Sequence, residues 1–506
     1  MQTSYLRMLC QMLNVLREEQ TIRYADQITS TVLTLLRSTQ HCLSHRDQVE
    51  PHTVTPLKSL RALSITTLTR VFNKFPAHDF APLRPRVNQI VLDTNLPGLP
   101  SESLQSCSPL LLFIESWSSH RVSWLEYSCA DKTVLSYVIS LLDGKGVTNS
   151  VISKVFSIVS TLLENAGQGV TLLRPFIQKL VDYIYNSLLS LKKKVPDKKT
   201  LKQELHLLAQ LSGLITETGD GAHCGALVRC LVHVLQDRIV RRPGDVVNAL
   251  ETVTKLTVHL EDTTLLQECY VMCNRLLGCC NDRFCRSSVC RLMEQTDHPS
   301  AGILVKLHAW NPKVVDEPDF DTRLEGYREM GEQVRGTMSG EVSGEVSGEV
   351  NGVKLLTPWI NTALYTVFST DEMALRDSAS QSLLLAIQHI PFTSSLYSSI
   401  VELLIAPAVQ RALSNSSEIF RREAVVLLHK MVQVFPETPP WQHLAPLTDP
   451  DPEIDFFNNI THIQTHRRTR AVTKLRGLAD DTNPDIVWNY FLPLMYPVFS
   501  LKGYTI

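Results

Sequence analysis

The chain has 506 residues, too many for one compact core, with 44% hydrophobic and 20% charged residues, ordinary proportions for a folded protein. Its formal net charge of −2 provides no global basic field to gather nucleic acid, so any RNA contact has to come from local patches. No apolar run approaches about eighteen residues without a charge, and residues 1–7 lead into a mixed amphipathic segment, so neither a membrane span nor a secretory signal is expected.

From the amino end, residues 11–36 read as two amphipathic helices with leucines and valines three and four apart. Pro56 opens the next, with Leu57, Leu60, Leu63, Ile65, Leu68, Val71, Phe72 and Phe75 as its apolar positions and Pro76 as its stop. Residues 77–108 are rich in proline and predicted to be irregular, with 87–92 helical or extended. Short apolar helices come next at 110–117 and 134–142. After the turn Asp143-Gly144-Lys145-Gly146 the pattern returns at 151–163. Further helices are expected at 172–191, 201–215, 227–240, 246–260 and 265–277, separated by lysine-, proline- or glycine-bearing turns. Almost no segment alternates with period two. Helical hairpins of about forty residues, each unable to bury its own face alone, are what a HEAT- or armadillo-like solenoid looks like. The predicted fold class is all-α, an α-solenoid of stacked helical hairpins.

The regularity breaks at Asn311. Ser339-Gly340-Glu341-Val342 is repeated twice more through Val350, and such a tandem has too little apolar surface to order itself. The expected organisation is a solenoid segment over 1–310, a linker with a disordered low-complexity insertion over 311–357, and a second solenoid segment over 358–506. Helices resume at 359–368, 373–390, 396–412 and 419–435, the last with Arg421, Arg422 and Lys430 facing outward, and a final apolar helix is expected at 485–499.

Six of the 12 cysteines, Cys269, Cys273, Cys279, Cys280, Cys285 and Cys290, fall close together but lack the paired Cys-x-x-Cys spacing of a zinc module. They share helical stripes with Leu265, Leu276, Val289 and Leu292 and read as buried core thiols, which suits a cytosolic or nuclear compartment.

The stretch densest in chemistry comes after Asp449-Pro450-Asp451-Pro452-Glu453. From Ile454 on the pattern is helical, with Phe456, Ile460 and Ile463 on one face and Arg467, Arg470 and Lys474 on another; Arg468 and Arg476 add charge. Arginine forks pair with phosphate, so His466, Arg467, Arg468, Arg470, Lys474 and Arg476 are the candidate nucleic-acid or partner-binding residues; a solvated surface helix is the plainer alternative. His462 and His466 have the spacing of a helical zinc pair, but the motif's glutamate is Ile463 and no third ligand is apparent, so no metal is expected. No phosphate-binding loop, dinucleotide loop, nucleophile elbow or kinase loop is found. Neither catalysis, nor a cofactor, nor a small-molecule substrate is expected.

The segment 449–471, read Asp-Pro-Asp-Pro-Glu-Ile-Asp-Phe-Phe-Asn-Asn-Ile and then His466-Arg467-Arg468-Thr469-Arg470-Ala471, resembles the "down-regulated in metastasis" family. So do Leu68-Thr69-Arg70-Val71-Phe72-Asn73-Lys74-Phe75-Pro76, Glu317-Pro318-Asp319-Phe320-Asp321-Thr322-Arg323-Leu324 and Asp371-Glu372-Met373-Ala374-Leu375-Arg376-Asp377. That family is the large HEAT-repeat component of the small-subunit processome. The resemblance implies a nuclear, nucleolar scaffold with pre-ribosomal RNA, processome proteins and snoRNP as partners, supporting pre-18S rRNA processing. Family members are several times longer, so the chain is expected to be a piece of a longer solenoid. Composition and periodicity alone leave an α-solenoid interaction protein; the alternatives are a generic HEAT-repeat interaction scaffold, a nuclear transport-type carrier, which tends to be more acidic than −2, and a helical scaffold of the giant lipid-kinase-like proteins, which needs kinase motifs outside this chain.

Overall fold

The computed structural model describes residues 2–76, 78–120, 133–144, 146–164, 168–190, 198–218, 221–236, 241–258, 260, 262–314, 317–338, 347–479 and 482–495. They form two compact units, residues 1–259 and 260–506, each a stack of helices and thus an all-α solenoid. Among the described residues there is no strand, only one isolated bridge between Trp310 and Pro318.

The first unit is built from α1 (Gln2–Val15), α2 (Ala25–Ser44), α3 (Pro51–Lys74), α4 (Pro109–His120), α5 (Thr133–Ser140), α6 (Asn149–Glu164), α7 (Ile177–Ser190), α8 (Lys198–Thr218), α9 (Gly221–Gln236) and α10 (Pro243–Thr257). Contacts run between near neighbours in sequence: α3 packs on α1, α2 and α4, α6 on α4 and α8, and α10 on α8 and α9. That locality defines a solenoid. Helix α3 begins at Pro51, not at Pro56 as the sequence pattern suggested. Pro51 occupies the first turn, where its missing N–H costs nothing, and Pro56 sits inside the helix. The end of α3 supplies an aromatic nucleus: the Phe72 ring lies 4.8 Å from Phe80, 4.9 Å from Trp117 and 5.8 Å from Phe113. Residues 77–108 are less irregular than expected. Short 3₁₀, α and π turns succeed one another between Ala81 and Glu102, and Val87, Ile90, Val91 and Leu92 are buried.

The second unit comprises α11 (Thr263–Cys279), α12 (Arg283–Gln295), α13 (Ala301–Leu307), α14 (Phe320–Met338), α15 (Ser347–Ser369), α16 (Met373–His389), α17 (Ala406–Leu413, led in by a π segment Tyr397–Ile405), α18 (Glu418–Val434), α19 (Phe456–Ile460) and α20 (Thr465–Ala479). Helix α15 packs on α11 and α16, α16 on α14 and α18, and α18 on α17 and α19. Leu427, Leu428 and Met431 of α18 are fully buried, a contribution of about 1.5–3 kcal/mol each. The units divide between residues 259 and 260, whereas the sequence places its linker at 311–357. Within that stretch 320–338 and 347–357 are helical, so the third Ser-Gly-Glu-Val copy opens α15; residues 339–346 lie outside the described residues. At the break, Asn311 N–H donates to Glu317 O and Asp319 N–H to Ala309 O. Asp319 then accepts from Thr322 N–H as α14 begins.

Three histidines of this unit are held neutral. Burial, followed by the charge of Lys354, pushes His298 down to about 4, and its Nδ1 accepts from the Ser300 N–H at 3.3 Å. Burial and then Arg286 and Arg323 depress His308, and burial depresses His429 against the opposing pull of Asp455. Their folded pKa values lie below the unfolded value of about 6.5, so the unfolded chain takes up protons first as pH falls. The stability they contribute is complete above that value and is lost as pH falls below it, for His298 down to about 4. The thermal midpoint should therefore drop between pH 7 and pH 5. His298→Asn, which keeps an acceptor and does not titrate, should drop less; equal drops in both chains would refute this account of His298.

Candidate nucleic-acid interface

The acidic approach to the basic helix folds on itself. Asp449 Oδ1 accepts from Asp451 N–H and Asp451 Oδ1 from Glu453 N–H, successive Asx turns that short carboxylates favour between prolines. Asp455 is buried at the first turn of α19. Its Oδ1 caps Asn458 N–H at 2.8 Å, its Oδ2 accepts from Asp449 N–H at 3.1 Å, and His429 Nε2 stands 3.3 Å from the same oxygen. The His429 ring stacks on Phe457 at 4.8 Å. Asn459 Nδ2 donates to Glu453 O and Asp455 O. The motif read as a rigid lead-in is the fastening that joins α18 to α19.

The single helix expected from Ile454 onward is two. Helix α19 ends at Ile460, residues 461–464 are non-helical, and α20 starts at Thr465. Phe456 and Ile460 are buried as expected, but Ile463 is 84% exposed and shares no face with them. The break is closed by Arg468, whose Nη1 donates to His462 O and Ile463 O, both at 2.7 Å. His462 and His466 therefore sit on different elements. Among the described residues no group of three or more His, Cys, Asp or Glu could hold a metal ion.

All six candidate residues lie on α20, and most of their charge points back at the protein. Arg467 pairs with Glu453 Oε1 at 3.0 Å, Arg470 Nη1 donates to Glu453 O at 2.9 Å, and Lys474 Nζ donates to Leu447 O at 3.1 Å. Ala471 and Leu475 are the buried apolar positions of this helix. Only His466 and Arg476 among the six are exposed without a hydrogen bond or ion pair to the described residues.

Arg468 is one of a series. Arg286, Arg376 and Arg421 each occupy the fourth position of a helix, as Arg468 does, and each turns its guanidinium onto carbonyls at the end of the preceding one. Arg376 Nη1 reaches Thr370 O and Asp371 O; Arg421 Nη1 reaches Asn415 O at 2.6 Å and Ser416 O at 2.8 Å. Arg286 Nη1 takes Leu277 O and Cys280 O at 2.8 Å each, with its guanidinium carbon 3.9 Å from the centre of the Tyr365 ring. The sequence pattern set Arg421 outward; it is 6% exposed. A readable signal was present, since each of these arginines is followed three residues on by a small or branched apolar residue (Val289, Ala379, Ala424, Ala471) that is buried.

The cysteines divide. Cys269, Cys273, Cys285 and Cys290 are buried as expected, and burial pushes Cys269 and Cys290 up to about 12. Cys279 is exposed and Cys280 half-buried, against the expectation of six core thiols, because both fall at or beyond the last residue of α11. A hydrogen bond from Cys285 draws the Cys280 thiol below its ordinary value.

The stacked helices define an α-solenoid. The chain belongs to the family described as "U3 small nucleolar RNA-associated protein 20, N-terminal", whose model matches residues 1–417. A Saccharomyces cerevisiae relative named U3 small nucleolar RNA-associated protein 20 is 21% identical over 527 residues, covering 98% of this chain and 20% of the relative. The Schizosaccharomyces pombe relative of the same name is 26% identical over 180 residues, 35% of this chain and 7% of the relative. The chain thus spans a small part of the relatives it matches. Among solved structures it is similar to the karyopherin Kap121p bound to Pho4p (TM-score 0.33, 10% identity, 92% of this chain and 53% of that one). It is similar also to Kap121p bound to the SUMO protease Ulp1p (TM-score 0.36, 10% identity, 98% and 49%).

The two kinds of arginine should separate in denaturant unfolding. Arg421→Ala removes two charge-assisted bonds from a buried turn and should cost about 2–4 kcal/mol, whereas Arg476→Ala should stay within about 0.5 kcal/mol of the parent. A loss for Arg421→Ala as small as that for Arg476→Ala would refute the capping role.

Proposed function

We propose that this chain is a non-catalytic helical scaffold in small ribosomal subunit biogenesis, acting in the nucleolus with U3 small nucleolar RNA particles to support pre-18S rRNA processing. The supporting observation is family membership over residues 1–417, with relatives named for association with U3 small nucleolar RNA. The chain corresponds to 20% of the length of the S. cerevisiae relative, so its part is that of one segment of a longer scaffold. In this reading it turns over no substrate and needs no cofactor. A transport-type carrier is not favoured.

RNA contact by α20 is part of the proposal in a narrowed form. Arg467, Arg468 and Lys474 hold the helix to residues 447–463, while His466, Arg470 and Arg476 are the exposed members. Phosphate contact would then come from few cations, with a correspondingly shallow salt dependence. The test is crosslinking and immunoprecipitation of the full-length protein from cells, comparing the parent with Arg470→Glu/Arg476→Glu. Recovery of pre-ribosomal RNA by the parent and its loss in the double variant, with 18S maturation impaired, is the expected result. Equal recovery would remove α20 from the RNA surface. No pre-ribosomal RNA with either protein would overturn the scaffold assignment.

A further inference from the structure

A groove of about 360 Å³ opens in the second unit, between the end of α11, one face of α15, and α17 with its π lead-in. Its floor is α15, where Asn361, Leu364, Tyr365 and Phe368 recur at three, one and three residues and so share a face. Asn281 stands on one wall, and Leu403, Leu404, Arg411 and Asn415 on the other. Leu403 is 70% exposed, an unusual position for a leucine beside a concave surface.

The chemistry of the lining is selective. It holds no acidic residue and one cation, Arg411, which is exposed and makes no ion pair or hydrogen bond with the described residues. Asn361 Nδ2 donates to Thr357 O, and Asn415 Oδ1 accepts from Ser417 N–H. Asn361 is left with a carboxamide oxygen to accept, and Asn415 with an amide to donate. One acceptor and one donor are what a residue of an extended backbone needs for its own N–H and C=O. A Cβ at Gly278 would lie 3.1 Å from Asn361 Oδ1, so glycine at that position leaves the oxygen uncovered.

We propose that this groove seats an extended peptide segment of a partner protein, with one large apolar side chain against Phe368 and Leu404 and an acidic residue beside it on Arg411. The asparagines hold the peptide backbone, Arg411 selects the acid, and Leu364, Phe368 and Leu404 supply the anchor. A single-stranded nucleic acid fits less well, because it brings a phosphate with every nucleotide and the groove offers one cation. The site does not depend on which surface of the chain carries RNA.

The test is selection of a phage-displayed library of random linear dodecapeptides on the purified 506-residue chain, followed by binding of the enriched peptides in solution. The expected result is a consensus of one large apolar residue with Asp or Glu close by. Binding should weaken about tenfold or more in Arg411→Glu and in Leu403→Asp. Both positions are exposed, so circular dichroism and the thermal midpoint should match the parent, and Asn361→Leu provides a third, uncharged variant. Failure to enrich any such consensus, or equal binding to parent and variants, would overturn the proposal. So would binding of oligouridylate that depends on Arg411 while no peptide does, since that would make the groove a nucleic-acid site.

Discussion

Four helices of the second unit begin in the same way, with an arginine at the fourth position donating to carbonyls at or just beyond the end of the helix before. The last carbonyls of any helix lack intrahelical partners and carry the negative end of its dipole. A cation in the first turn of a helix is misplaced with respect to that helix's own dipole. Arg286, Arg376, Arg421 and Arg468 are tolerated there because each binds two carbonyls at or beyond the preceding carboxyl end, most of them in the connecting turn. Three of the four are almost wholly buried, so these bonds act where water cannot replace them. Turn geometry is thereby tied to the start of the next helix, and the stacking of hairpins depends on it.

This arrangement changes what a basic stretch means. Residues 466–476 carry five cations in sequence, yet Arg467 and Arg470 hold Glu453, Lys474 holds Leu447 O, and Arg468 holds its own lead-in. Asp455 organises the other side of the same fastening, capping α19 while receiving Asp449 N–H and His429. The acids and bases that make the segment conspicuous largely complete one another. What α20 offers to solvent is His466, Arg476 and part of Arg470, a far weaker field than the sequence suggests.

Helices were legible because their burial follows the helical period. The pattern at 373–390 became Met373–His389 and that at 419–435 became Glu418–Val434, since Leu375, Ala379, Leu383 and Ala386, and Ala424, Leu428 and Met431, each line one buried stripe. The break at 461–464 was not legible, because Phe456, Ile460 and Ile463 keep helical spacing straight through it. Nothing in spacing says that a guanidinium a few residues on will draw His462 O and Ile463 O out of the ladder. Orientation of cations was hidden for the same reason. Whether Arg421 meets water or Asn415 O depends on where the preceding helix ends, and helix ends are the least certain part of any periodicity.

The arginines that α12, α16, α18 and α20 spend on turn carbonyls are not available to recognise partners. Long-range steering requires charge that faces solvent, and here both the net charge and the exposed remainder of α20 are small. Recognition then falls to shape and to short-range polar groups, for which the groove beside α15 is equipped. Its carboxamides carry no charge to desolvate, its floor is apolar, and its one arginine provides selectivity at a single point. Rigid turns matter for such a site because its walls belong to different hairpins. Arg286 and Arg421 fix the turns that carry Asn281 and Asn415, so the bonds that hold the stack together also set the width of the groove.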